Sequence, residues 1–218
     1  MNIKYAIFDL DGTLLDTIES LIKTGNSMLK ELGYEPRSNK EFRKFIGYGA
    51  KELVRQLIVA AGDEEAKQLE EAYKIYMQLF EEYCVYKVEP YPGILELIAA
   101  MQERNIPLAV LTNKPHQMTG RVLATTFSED TFAYVLGQST RFPRKPDPTA
   151  AHYIAEKLGA KNIQEVIMIG DSDADIQTAK NAKMLSAGAA WGFRGSQELI
   201  DNECDILLEK PTDLIQHL

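Results

Sequence analysis

The sequence contains few residues that bind soft metals or form disulfides. Among its 218 residues there are two cysteines, Cys84 and Cys204, and three histidines, His116, His152 and His217. The cysteines lie far apart, without the spacing of a zinc site or a disulfide scaffold, and the histidines form no HExxH pattern. The sequence therefore fits neither a zinc protein nor a small disulfide-rich domain, and a reducing compartment suits the thiols.

Long hydrophobic runs and an excess of positive charge are also missing. No run approaches the ~20 apolar residues of a membrane span, and the apolar part of MNIKYAIFDLD is too short for a signal peptide. The formal net charge of -8 gives a field that repels polyphosphate backbones. We therefore expect a cytoplasmic protein with neither a membrane nor a nucleic-acid partner.

The signatures of several enzyme classes are absent as well: the GxxxxGK[ST] phosphate loop, the GxGxxG fingerprint and the GxSxG nucleophile elbow. The composition, with 45% hydrophobic and 26% charged residues, is that of a folded protein with a substantial core. Because the chain exceeds the ~100–150 residues of a typical domain, it permits a core with an insertion.

Short apolar runs predict strands at residues 5–8, 108–111, 134–136, 166–169 and 185–190, with a last strand at 205–208. These runs lack strict alternation, which is typical of parallel strands buried on both faces. Helical periodicity at residues 94–103, 149–158 and 176–182 separates them. The sequence therefore predicts an α/β fold with a doubly wound parallel sheet.

Residues 17–88 have a different pattern, with no strand run and four helical stretches at about 19–32, 40–45, 51–60 and 64–82. The segment EPYPGI that follows has two prolines and a glycine, which disfavour regular structure and suit a hinge. We expect an α/β core domain of residues 1–16 and 89–218, with a helical domain of residues 17–88 inserted after the first strand.

Polar side chains follow several of the predicted strands, and one lysine lies in a loop. They are Asp9, Asp11, Thr112, Asn113, Lys145, Asp171, Ser172, Asp173 and Asp175. In open α/β sheets the ligand crevice lies at the carboxyl ends of the strands, so these groups converge on one crevice.

Each of these residues also has a purely structural interpretation. Asp-Gly is a common turn pair, Thr, Asn, Asp and Ser cap helices, and a loop lysine is usually solvated. Together, however, like charges ~4 Å apart cost roughly 4 kcal/mol at an effective dielectric constant near 20, which implies a cation. A hard divalent ion bound by oxygens is the candidate. An EF-hand loop starting at Asp171 fails because Ile176 and Ala182 occupy its glycine and glutamate positions.

These residues, in this order, resemble the haloacid dehalogenase-like (HAD) hydrolase superfamily, in its phosphoglycolate phosphatase branch. The motifs AIFDLDGTLLD, LAVLTNKP, RKPDP and VIMIGDSDADI cover nearly the whole chain, and residues 17–88 lie where this family carries a helical cap, called type C1. TNKP, KPDP and WGFRG resemble the phosphoglycolate phosphatases in particular. One departure is Lys183, which occupies a position where glycine is common and affects a turn.

The resemblance implies a role for each core residue. Asp9 would be the nucleophile that forms an aspartyl-phosphate, and Asp11 the general acid and then base. Mg2+ would be held by Asp9, the backbone carbonyl of Asp11 and Asp171, with Asp175 nearby in support. The remaining core candidates would bind the phosphoryl oxygens or balance their charge. They are Thr112, Lys145, Asn113 and Gly12.

The predicted cap contains the candidate for substrate selection, since IGYGAKELVRQL aligns with the specificity loop of the family. Its glycines permit a tight loop near a ligand, and Tyr48, Lys51 and Arg55 could contact an acidic leaving group. Lys51 and Arg55 could equally form an exposed helix face. Tyr73, Tyr76 and Phe80 are expected to pack between helices.

The leading function is an Mg2+-dependent phosphatase of a small phosphorylated metabolite such as phosphoglycolate. An inorganic pyrophosphatase and a phosphomutase of the β-phosphoglucomutase type are alternatives with the same core. A non-catalytic metal-binding regulator would lose Asp9, Asp11, Lys145 or Asp171, and all four are present. The sequence sets no oligomeric state.

Overall fold

The computed structural model describes residues 2–218, and a parallel β-sheet forms its centre. In chain order the strands are β1 (Tyr5–Phe8), β2 (Leu15–Asp16), β3 (Glu89–Pro90), β4 (Leu108–Pro115), β5 (Tyr134–Gln138), β6 (Val166–Gly170), β7 (Leu185–Ala189) and β8 (Ile206–Leu208). Six of them form the sheet in the order β5-β4-β1-β6-β7-β8, and all neighbours are parallel. The predicted α/β fold with a parallel sheet is confirmed.

Nine α-helices surround the sheet or lie between β2 and β3 in residues 2–218. They are α1 (Ile18–Glu31), α2 (Asn39–Phe45), α3 (Ala50–Ala60), α4 (Leu69–Tyr83), α5 (Ile94–Glu103), α6 (His116–Leu123), α7 (Thr149–Lys157), α8 (Asp173–Ala182) and α9 (Ser196–Asp201). Short 3-10 helices span Glu129–Thr131, Ile163–Glu165 and Pro211–His217. Within residues 2–218 no helix combines the length and the apolar character needed to span a bilayer.

Both faces of the sheet are buried, which explains why the strand sequences do not alternate. On β1, Phe8 packs into a hydrophobic cluster that contains Leu97 of α5, while Ile7 packs into a second cluster with Ile154 of α7 and Ala179 of α8. Neighbouring residues of a strand point to opposite faces, so an apolar residue is needed at every position.

The strand order places β1 at the centre of the sheet, between β4 and β6. The chain moves outward from β1 on one side through β4 and β5, and on the other through β6, β7 and β8. Such a reversal opens a crevice at the carboxyl ends of the strands. The segments after β1 and β6 and the end of β4 therefore meet at one place.

Two boundaries differ from the sequence prediction in ways that affect the crevice. β4 continues to Pro115 rather than ending at residue 111, so Thr112, Asn113 and Lys114 belong to the strand. The expectation that EPYPGI lacks regular structure is wrong for its first two residues, because Glu89 and Pro90 form β3, antiparallel to β2. Proline is tolerated there because a two-stranded ribbon leaves an edge without a ladder partner.

The four helices between β2 and β3 pack on one another around an apolar interior. Their fully buried side chains include Met28 of α1, Phe42 of α2, Leu57 of α3 and Phe80 of α4. The last of the predicted helices is shorter than expected, since α4 begins at Leu69 rather than at residue 64. Because β2 and β3 pair, the segments that enter and leave this helical unit lie side by side.

Lys183 ends α8 in a left-handed conformation, with a φ of 61° and a ψ of 30°. The Cβ of a residue other than glycine is crowded in this region, which is why glycine is favoured after a helix. Lys183, at a position where glycine is common, therefore adopts a strained backbone conformation, and helix α8 remains intact up to Ala182.

We expect Lys183→Gly to raise the free energy of unfolding by about 1 kcal/mol, because it removes this strain. Chemical denaturation checks the change. Lys30→Gly, at an exposed position within α1, is the matched control and should cost about 1 kcal/mol. A loss of stability in Lys183→Gly would contradict the strain.

Candidate active site

A buried lysine and two aspartates form the centre of the crevice. Asp9 directly follows β1, and its backbone N–H donates to the carbonyl of Ile169 at 2.8 Å. The Nζ of Lys145 lies 2.9 Å from Oδ1 of Asp9 and 2.5 Å from Oδ1 of Asp175. Burial lowers the pKa of Lys145, but the carboxylates of Asp175 and Asp9 outweigh it and raise the pKa above 10.5. Lys145 is therefore a permanent cation in this site.

Three carboxylates converge on this centre, from Asp9, Asp171 and Asp175. One oxygen from each lies within 4.8 Å of the others, and all three residues are buried. Burial raises the pKa of Asp9 to about 6, against the opposing effect of Lys145 and with help from Asp175 and Asp11. Burial, with the charges of Asp175 and Asp9, also raises the pKa of Asp171 well above 3.8. When all three carboxylates are ionised, their negative charge therefore exceeds the positive charge of Lys145.

The donors of this cluster suit a divalent cation. Three carboxylates and one ammonium leave two negative charges unbalanced, which one divalent ion would neutralise. The buried Oδ1 of Asp9 accepts no hydrogen bond in residues 2–218 besides its 2.9 Å ion pair with Lys145. An all-oxygen set is the preference of hard cations. The cluster can therefore hold such an ion.

Local hydrogen bonds fix two of the three carboxylates. The Oδ2 of Asp175 accepts from the backbone N–H and the hydroxyl of Ser172, at 3.1 and 2.7 Å, at the start of α8. The Oδ2 of Asp171 accepts from the N–H of Phe193 at 2.7 Å. These bonds orient the cluster before any ligand binds.

Gly12 allows the loop after β1 to pass close to Asp171. Its φ is +84°, and a Cβ built on it would lie 2.5 Å from Oδ2 of Asp171. A side chain at this position would displace the carboxylate, so the glycine of the Asp-Gly pair is required by contact as well as by its turn conformation.

The carboxylate of Asp11 lies outside the three-acid cluster. Its Oδ1 accepts from the hydroxyl of Thr17 at 2.7 Å and from Nζ of Lys114 at 2.9 Å. Nζ of Lys114 also lies 4.7 Å from the ring centroid of Phe80 in α4, a cation–π contact. Asp11 and Lys114 thus form a second, self-balanced pair that faces the helical unit.

Lys114, Thr17 and Phe80 were not among the functional candidates from the sequence. The position of Lys114 in TNKP, directly after Asn113, could have identified it. Had the predicted strand been continued past residue 111, it would have placed Lys114 at the same edge of the sheet as Thr112. The signals for Thr17 and Phe80 are too weak, because their contacts with this site depend on how the helical unit folds back over the sheet.

A cavity of about 40 Å³ opens onto Asp9. Its charged lining residues lie outside the helical unit, and its apolar lining comes largely from α1, α3 and α4. The lining includes Asp9, Asp11, Leu21, Leu53, Tyr76, Phe80, Thr112, Asn113, Lys114, Asp171 and Arg194. The cavity therefore has charged side chains on the side of the sheet. We call the opposite side, formed mainly by apolar side chains of α1, α3 and α4, its roof.

Known proteins are similar to this chain in sequence and in fold. The family model for haloacid dehalogenase-like hydrolases matches residues 6–189. The chain belongs to this family. It is 31% identical to a phosphoglycolate phosphatase of Neisseria meningitidis over 93% of this chain and 86% of that protein. It is 33% identical to the pyrophosphatase PpaX of Listeria monocytogenes over 96% of this chain and 93% of that protein.

A solved structure agrees with these relatives. A crystal structure of a predicted phosphoglycolate phosphatase from Haemophilus somnus superposes with a TM-score of 0.90 at 26% identity, covering 100% of this chain and 98% of that one. The chain is thus an enzyme, a HAD-like hydrolase of the branch that contains the phosphoglycolate phosphatases.

In this HAD-like hydrolase, Asn113 links the loop of Lys145 to the helical unit. Its side chain accepts from the N–H of Lys145 at 3.0 Å and donates to the carbonyls of Lys145 at 3.2 Å and Gly47 at 2.9 Å. Its neighbour Thr112 is buried and lines the cavity. The side-chain amide of Asn113 is therefore used for structure, and the backbone near it stays the candidate for binding phosphate.

Core side chains hold the loop between α2 and α3 at three successive carbonyls. Arg194 donates to the carbonyl of Ile46 at 2.9 Å, Asn113 to that of Gly47, and Arg144 to that of Tyr48 at 2.6 Å. The hydroxyl of Tyr48 also donates to Asp173. This HAD-like hydrolase thus keeps its predicted specificity loop against the crevice.

Three of the predicted substrate contacts do not line the cavity. Tyr48 is turned outward to Asp173, Lys51 pairs with Glu70 at 2.6 Å, and Arg55 pairs with Glu52 at 2.6 Å. Lys51 and Arg55 line a separate groove beside Arg144. The interpretation of Lys51 and Arg55 as an exposed helix face describes their surroundings better than a direct contact does.

We expect Lys145→Met to lower the free energy of unfolding of the metal-free hydrolase by about 3–5 kcal/mol, because it leaves the buried carboxylates without their counter-charge. Urea denaturation in excess chelator measures the loss. Lys4→Met removes an exposed pair with Glu165 and should change stability little. Equal stability of Lys145→Met and the parent protein would contradict this role of Lys145.

Proposed function

We propose that this protein is an Mg2+-dependent phosphatase that hydrolyses a small phosphomonoester of the phosphoglycolate type through an aspartyl-phosphate. The observation that carries the proposal is the excess of two negative charges around Asp9, Asp171, Asp175 and Lys145, at the edge of the sheet where the loops meet. Similarity to phosphoglycolate phosphatases supports the substrate type.

Asp9 acts as the nucleophile, and its carboxylate attacks phosphorus as the bond to the leaving oxygen breaks. Asp11 protonates that oxygen, and in the second step it accepts a proton from the water that hydrolyses the aspartyl-phosphate. Thr17 and Lys114 hold the Asp11 carboxylate beside the cavity. The two carboxylates thereby serve opposite ends of the breaking bond.

Asp9, Asp171, the backbone carbonyl of Asp11 and, in support, Asp175 would hold Mg2+. When bound, the ion supplies positive charge that reduces the repulsion between the carboxylate nucleophile and the phosphate. Lys145 adds a fixed positive charge next to Asp9. Thr112, Gly12 and the backbone near Asn113 bind the phosphoryl oxygens, which completes the recognition of phosphate by the core.

Residues 17–88 form a cap domain that closes over the core of residues 1–16 and 89–218. The contacts of the three carbonyls at Ile46, Gly47 and Tyr48 with core side chains support a closed arrangement. The apolar side chains of α1, α3 and α4 in the cavity roof would exclude water around the reacting groups.

Pyrophosphate is a second candidate substrate because of the similarity to the pyrophosphatase PpaX. A panel that measures phosphate release from phosphoglycolate, sugar phosphates and pyrophosphate separates the two functions. The apolar roof of the cavity favours a carbon-containing leaving group over a second phosphate.

Asp9→Asn is expected to abolish phosphate release across the panel, because the amide cannot attack phosphorus, while the fold persists. Phosphate release and circular dichroism are measured on the same preparations. Asp130→Asn, at an exposed residue of a 3-10 helix, serves as the matched control and should retain full activity. Substantial turnover by Asp9→Asn would refute the assignment of the nucleophile.

Activity should be lost in excess chelator and restored by Mg2+, and Ca2+ should inhibit in competition with Mg2+. Calcium prefers more ligands and longer bonds than magnesium, so it can take both oxygens of Asp9 and leave none to attack. Steady-state assays at fixed Mg2+ with increasing Ca2+ test this. Full activity in chelator, or activation by Ca2+ alone, would contradict a role for Mg2+.

A further inference from the structure

Tyr76 of α4 places an unused hydrogen-bond donor on the cavity wall. The side chain is fully buried and lines the cavity, yet its hydroxyl has no hydrogen-bond partner in residues 2–218. A buried polar group without a partner is costly, so its persistence on the wall of a ligand cavity indicates that a ligand supplies the acceptor.

Lys114 supplies a second donor to the same cavity. Its side chain is 1% exposed, and Asp11 is its one hydrogen-bond acceptor in residues 2–218. An ammonium group has three N–H donors, and its two contacts with Asp11 leave at least one for a ligand. The ring of Phe80 covers another side of the ammonium.

The position of Lys114 and Tyr76 relative to the leaving group follows from the proposed function, on which the inference rests. Asp11 must reach the leaving oxygen, and Lys114 contacts Asp11 at 2.9 Å. A group that lies one or two carbons beyond the leaving oxygen therefore comes within reach of Lys114. The neighbouring side chains Leu21, Leu53 and Phe80 on the cavity wall are apolar and offer no partner to a charged group.

We propose that Lys114 and Tyr76 form a subsite for a carboxylate on a short leaving group, and that they select substrates of this class. One ammonium and one hydroxyl match a monoanion with two acceptor oxygens. The other cation on the cavity wall, Arg194, donates to the carbonyl of Ile46 and pairs with Glu198 at 3.5 Å. Selection thus comes from the end of β4 and from α4, and Lys51 and Arg55 of α3 take no part in it.

The test compares kcat/KM for phosphoglycolate with kcat/KM for ethyl phosphate, whose leaving group has the same length but lacks the carboxylate. The parent enzyme should prefer phosphoglycolate. Lys114→Met should reduce the ratio of the two values about 10- to 100-fold, the range for a hydrogen bond to a charged group. Tyr76→Phe should also reduce it about 10- to 100-fold, because its acceptor is the same charged carboxylate.

Two controls separate recognition from folding. Lys74→Met changes an exposed lysine on α4, outside the cavity, and should leave the ratio unchanged. Tyr76→Phe removes a hydroxyl that has no partner, so its thermal unfolding temperature without ligand should not fall. Should Lys114→Met fail to fold, Lys114→Gln and Tyr76→Phe provide the same comparison.

The outcomes separate this subsite from the proposed function. Hydrolysis of both substrates with an unchanged ratio in Lys114 and Tyr76 variants would overturn the subsite and leave the phosphatase in place. A parent enzyme that releases phosphate from no phosphomonoester would overturn both. A lower ratio in both variants, together with an unchanged ratio in Lys74→Met, would establish the subsite.

Discussion

The ammonium of Lys145 is the charge on which the site depends. It lies between Asp9 and Asp175 in a buried environment, where carboxylates repel one another strongly. Without it, the loops after β1 and β6 could not both bring acids to the same sheet edge at a tolerable cost. One ammonium does not balance three acids, however, and the remaining negative charge makes the cluster a site for a divalent cation. Stability of the fold and affinity for a metal thus follow from one arrangement.

The neighbouring residues preserve this arrangement. Asn113 binds the backbone of Lys145 through both ends of its amide, and Ser172 fixes Asp175 at the start of α8. Gly12 lets the loop after β1 pass Asp171 without a clash. Asp11 remains separate because Lys114 balances its charge and Thr17 orients it. Two carboxylates with different partners can therefore coexist two residues apart.

The helical unit between β2 and β3 also contributes to the site. It does so through backbone carbonyls held by core side chains and through side chains that line the cavity. Core side chains hold three successive carbonyls of the loop between α2 and α3 beside the crevice. Helix α4 brings Phe80 next to Lys114 and Tyr76 into the cavity wall, so the roof of the cavity touches the lysine that holds Asp11. Relatives named for different substrates match most of the chain at 31–33% identity.

The sequence by itself determined the parallel sheet and the acids at its edge. Apolar runs without alternation require burial on both faces, and parallel strands bring their carboxyl ends together, so Asp9 and Asp171 meet at one edge of the sheet and the start of α8 adds Asp175. It could not place Lys114 or Tyr76, because the predicted strand ended too early and because Tyr76 reads as an ordinary core residue. It left Lys51 and Arg55 open between a substrate contact and an exposed helix face, and α3 sets them beside Glu70 and Glu52. Only the tertiary structure decided these positions, since the packing of helices over the sheet depends on contacts between residues distant in sequence, which local pattern does not record.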